Sequence, residues 1–66
     1  MTIQQILGER MGRRVKQYQL AKALGLKIHT LVDIERGRVS IDDEMKQRMM
    51  DTIEGLAAQR ETAEVS

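Results

Sequence analysis

Between Gln17 and Gly37 the sequence QYQLAKALGLKIHTLVDIERG leaves the fold little freedom. Leu20, Leu24, Leu26, Leu31 and Ile34 fall at the spacings of two short amphipathic helices. Gly25 stands between them, where a tight turn needs a residue tolerant of positive φ. Ala21 is small enough to let one helix cross close over the other. The pattern predicts one helix over about Gln17 to Leu24 and another from Lys27 to about Arg36, closed by Gly37 in a left-handed conformation. Leu31 and Ile34 point inward, while Ile28, His29, Val32 and Asp33 lie on the other side or at the N-terminal end. This is a helix-turn-helix unit whose second member is offered outward.

The flanks complete an all-α fold of four helices. Thr2 followed by Gln5 is a capping-box pattern, and Ile3, Ile6, Leu7 and Met11 share a helical face, with Gly12 as the expected terminator. Arg13 to Lys16 form a basic connection anchored by Val15. Ser40 with Asp43 suggests a second cap, opening a long helix from Ile41 to about Gln59. Its apolar stripe is Ile41, Met45, Met49, Ile53, Leu56 and Ala57, widened by Met50 and Ala58. Residues 1–59 are expected to form the domain and 60–66, RETAEVS, a frayed acidic tail.

With 66 residues there is one small core and a thin margin of stability. The chain has no Cys and one His, so neither disulfides nor a metal centre are expected, and no cofactor. It offers no nucleophile–base pairing, no phosphate-cradling glycine loop and no room for a substrate pocket, which argues against an enzyme and a small-molecule ligand. No apolar run approaches the ~20 residues of a membrane span, and Glu9 and Arg10 interrupt any leader-like segment. The expectation is a cytoplasmic protein without a membrane partner.

Charge is unevenly distributed. From Arg10 to Arg38 eight basic residues face only Asp33 and Glu35, a balance of +6; from Val39 onward the balance is −4. A basic helix-turn-helix with an acidic remainder fits a polyanion-binding face.

The pattern formed by Gln17, Leu20, Ala21, Leu24, Gly25, Leu31, Ile34, Glu35 and Gly37 resembles the Xre/Cro family, the lambda-repressor-like domains of phage and bacterial regulators. The resemblance implies a sequence-specific regulator, typically a repressor, that binds palindromic double-stranded operator DNA as a homodimer. It also implies that Gln17 grips a phosphate and that Arg10 and Glu35 form a partly buried ion pair. Three departures stand out: Arg14 occupies the neighbourhood of a family glycine, Lys27 replaces the usual Ser or Thr cap, and one long helix replaces two shorter ones.

Phosphate contacts fix register, while groove-facing side chains choose sequence. Gln17, Arg14, Lys16, Arg36 and Arg38 are the phosphate candidates; Lys27, Ile28, His29 and Asp33 are the base candidates. Lys27 could donate to guanine, Asp33 accept from cytosine, His29 do either, and Ile28 meet a thymine methyl. Asp33 has a rival role, repelling phosphates at wrong sites. One reading helix spans too few base pairs for genomic selectivity, so a dimer is expected, with Met49, Met50, Ile53, Leu56 and Ala57 as its seam. Two other readings share the fold: a DNA-binding antitoxin or restriction–modification controller, and a protein-interaction adaptor or antirepressor.

Overall fold

The computed structural model describes the backbone of residues 1–65 and the side chains of residues 1–60. Four helices follow one another: α1 (Ile3–Gly12), α2 (Gln17–Leu24), α3 (Ile28–Glu35) and α4 (Asp43–Val65). The all-α expectation holds, with no strand among the described residues.

Leucine and isoleucine at helical spacing place the core where the four helices converge. Ile6, Leu20, Leu31, Met49 and Ile53 are fully buried, joined by Val15, Ala21, Leu24, Ile34 and Ala57. Ile3, Leu26, Ile41, Met45, Met50 and Leu56 pack around them, half-covered. Each large aliphatic side chain removed from water contributes about 1.5–3 kcal/mol, so this short list carries most of the favourable free energy. On α1 the expected stripe is only partly inward. Ile6 is buried and Leu7 half-covered, whereas Met11 is largely exposed.

Arrangement matters more than content here. α1 and α2 each pack against both α3 and α4, while α3 and α4 keep their backbones more than 8 Å apart among the described residues. α3 therefore rests on α1 and α2 from one side only, and its outer face is left uncovered.

Three helices end by the same device. In each, a residue with positive φ turns the chain so that the next amide reaches back five residues: Val15 N–H to Arg10 C=O (3.0 Å), Leu26 N–H to Ala21 C=O (2.9 Å) and Arg38 N–H to Asp33 C=O (2.9 Å). Two of the turning residues are glycines, Gly25 at φ 73° and Gly37 at φ 76°. The third is Arg14, at φ 58°. Gly12 does not terminate α1 as expected; it is the helix's last residue, and the left-handed position falls two places later. A side chain in that region costs of order 1 kcal/mol or more, partly offset by the extra unfolded-state freedom of glycine. Arg14→Gly should raise stability by about 0.5–1 kcal/mol, roughly 2–8 °C in melting temperature for a domain this size. Thermal unfolding followed by circular dichroism checks this, and an unchanged or lower midpoint refutes it.

Helix starts follow the sequence in one case and correct it in another. Thr2 Oγ1 accepts from Gln5 N–H (3.2 Å) and Gln5 Oε1 from Thr2 N–H (2.7 Å), the full reciprocal box. At α4 the cap is Asp42, whose Oδ1 accepts from Met45 N–H (2.8 Å), not Ser40. Ile41 precedes the helix and packs on the core instead of opening it. At the other end α4 continues past Gln59 to Val65. The side chains of 61–66 lie outside the described residues, and with them the expectation of a frayed tail.

Candidate nucleic-acid interface

A buried polar junction fixes how α3 sits. Arg10, on α1, donates from Nε to Glu35 Oε2 (2.7 Å) and from Nη2 to Glu35 Oε1 (3.1 Å). Its remaining Nη1 donates to the Val15 carbonyl (2.9 Å), in the turn before α2. Gln17 Nε2, at the start of α2, donates to the same Glu35 Oε1 (2.8 Å). The Arg10 and Glu35 side chains are only 11% and 5% exposed. One fork-to-fork pair thus ties α1, the connecting turn, the start of α2 and the end of α3 together. The ion pair expected from the sequence is present. Gln17 commits one of its amide hydrogens to Glu35, leaving the other for a phosphate.

From this anchor α3 presents its N-terminal end. Lys27, Ile28 and His29 are all exposed, with Ile28 at 49%. No side chain caps this helix, since its N-cap residue is Lys27. Amides of the first turn therefore stay open toward solvent at the positive end of the helix dipole. Val32 is less available: half-covered, it lines a shallow groove between α1 and α3 with Leu7, Met11 and Arg36.

The flanking cations lie toward the opposite, C-terminal end of α3, where Gln17 and Glu35 meet. Arg14 and Lys16 are exposed in the turn before α2, and Arg36 and Arg38 are exposed just after α3. Two candidates with opposite assignments face each other: Arg38 Nη1 lies 3.7 Å from Asp33 Oδ1, with both side chains substantially exposed. The pair is worth little to stability in water. It matters for the surface, because it neutralises the one carboxylate on the outer face of α3. Sequence spacing alone hid this contact, since it depends on Gly37 folding Arg38 back over the helix end.

The proposed seam fares differently. Met49, Ile53 and Ala57 are 0%, 0% and 3% exposed within a single chain, so they belong to the core and cannot also meet a partner. Met50 and Leu56 are half-covered and keep some outward surface. The physical reason is scarcity: with no Phe or Trp, the core uses methionine to fill its volume.

No family model matches this chain, and no curated protein or solved structure does either. Geometry and chemistry therefore carry the functional argument alone. Among the described residues there is no cluster of metal-ligating side chains and no helix long and apolar enough to cross a membrane.

Proposed function

We propose that the protein is a sequence-specific double-stranded DNA-binding regulator, of Cro/Xre repressor type, that places the N-terminal end of α3 in the major groove. The observation carrying this reading is the one-sided support of α3: braced on α1 and α2, uncovered outside, with Lys27, Ile28 and His29 exposed. An α-helix, about 10–12 Å across with its side chains, matches a major groove about 12 Å wide. Arg14, Lys16, Arg36 and Arg38, in the turns near the C-terminal end of α3, supply the phosphate contacts; Lys27, Ile28, His29 and Asp33 address base edges. The setting implied is the bacterial cytoplasm or nucleoid. The test is enrichment of duplexes from a random pool followed by titration of the winner against a scrambled duplex. A clear excess of affinity for the winner supports the reading, and equal binding overturns it.

Operator length argues for two copies on a palindrome. Of the seam expected from sequence, Met50 and Leu56 remain as contributors. Met50→Glu should leave binding to a half-site intact while abolishing the second binding step on a two-half-site duplex, read by sedimentation of the complexes. An unchanged two-copy complex would remove Met50 from the interface.

A further inference from the structure

The uncovered surface of α3 is divided lengthwise. Ile28 and Val32, one helical turn apart, form a row along the edge nearest α1, and His29 and Asp33 form the row beside it. The second row is polar and the first is wholly apolar. Val32 opens into the groove it lines with Leu7 and Met11 of α1, so the apolar row broadens there instead of ending. Met11 is 62% exposed. The charged residues bordering the groove are Arg10, Glu35 and Arg36. The first two are spent on each other, which leaves Arg36 to set the local sign. Apolar residues scattered singly over a surface need no explanation; a row of them beside the base-reading row does.

Resting on the reading of α3 as the helix that enters the major groove, we infer that the row of Ile28 and Val32, backed by Met11, reads the C5-methyl groups of pyrimidines. The recognised DNA is then defined by two methyl groups per half-site as well as by hydrogen bonds. The C5-methyl is the apolar feature of a major-groove edge otherwise made of donors and acceptors. Isoleucine and valine side chains form no hydrogen bond, so that methyl is the favourable contact open to them. Continuity names the occupant: a duplex close enough for His29 and Asp33 to address base edges also covers the adjoining row. An edge without a methyl would leave the row against polar atoms, at a cost in affinity. Residues four apart on a helix are separated by about 6 Å along its axis, and base pairs by about 3.4 Å. The two methyls therefore lie about two base-pair steps apart. Both thymine and 5-methylcytosine carry the group, and cytosine does not.

The test uses the full chain and the duplex enriched from the random pool. Deoxyuridine is placed at each thymine in turn, which removes the methyl and keeps the base pair. A methyl buried against an aliphatic side chain is worth roughly 4-fold in affinity. Two positions per half-site, about two steps apart, should each lose roughly that factor, and the remaining thymines little. Ile28→Ala should abolish the loss at one of them and Val32→Ala at the other. Neither variant threatens the fold, since both side chains lie outside the buried core and alanine favours a helix. At the same positions 5-methylcytosine should bind more tightly than cytosine by a similar factor. Preference for the enriched duplex over a scrambled one, with indifference to deoxyuridine, overturns the inference and leaves the DNA reading standing. Losses that persist unchanged in both alanine variants overturn it too, because the methyls would then be met elsewhere on the protein. Self-association that Met11→Glu abolishes, with deoxyuridine ignored, would hand the groove to a second copy. A pool that yields no preferred duplex overturns the DNA reading and the inference together.

Discussion

Arg10→Ala should remove between about a third and all of the protein's stability. Removing one partner of a well-buried ion pair typically costs ~3–5 kcal/mol, because the survivor keeps its charge in a poorly solvated site. A chain of this length has a total stability of roughly 3–10 kcal/mol, so the loss runs from about a third of it to the whole. Glu35 would be left with Gln17 as its one donor, and the Val15 carbonyl would lose Arg10 Nη1. Replacing both members with Arg10→Met and Glu35→Met should recover part of the loss, since no charge is then stranded. Recovery is incomplete because Gln17 and the Val15 carbonyl remain unpartnered. Glu9→Ala provides the contrast. It removes the solvent-exposed Arg13–Glu9 pair (2.6 Å) and should change stability by under ~0.5 kcal/mol. Urea unfolding of the three variants gives the comparison, and an Arg10→Ala midpoint close to that of Glu9→Ala would show the junction to be structurally idle.

Why the sequence disclosed some features and hid others follows from what each one depends on. Helix count and the inner face of the α2–turn–α3 unit rest on local periodicity, and Leu20, Leu24, Leu31 and Ile34 are all buried as their spacing requires. Features set by competition between neighbours were illegible. Ser40 and Asp42 can both cap a helix; Asp42 does so because Ile41 is drawn onto the core ahead of the first turn. Gly12 looked like a terminator, yet Arg14 takes the left-handed position because the closure places Val15 where Arg10 can bond its carbonyl. The seam failed on volume. A stripe wider than one face suggested a partner, but a core without Phe or Trp already needs Met49, Ile53 and Ala57. The exposed end of α3 was legible from its polar and misplaced apolar residues. Its Asp33–Arg38 contact was not, since it is made across a turn.

If α3 enters a duplex, affinity should fall steeply and countably with salt. Each phosphate neutralised contributes a slope of about −0.9 in log affinity against log salt. Arg14, Lys16, Arg36 and Arg38 would give about −3.6 for one copy and about −7 for two. Between 50 and 200 mM salt these correspond to losses of roughly 150-fold and 20,000-fold, so the slope itself counts the copies bound. Arg38→Ala should reduce it by about 0.9 per copy on every sequence. The same substitution strips Asp33 of its neutralising neighbour, so the loss at low salt should exceed that of Arg36→Ala. Asp33→Ala should act oppositely, raising affinity for random duplexes while narrowing their difference from the selected site, as expected of a carboxylate that repels misplaced phosphates. Lys27→Ala and His29→Ala should keep the slope nearly constant while relaxing base preference at particular positions. A Lys27→Ala slope reduced as much as that of Arg38→Ala would move Lys27 from the bases to the backbone. Binding that ignores salt altogether would mean that the cations around α3 do not meet phosphates, and the DNA reading would fall with them.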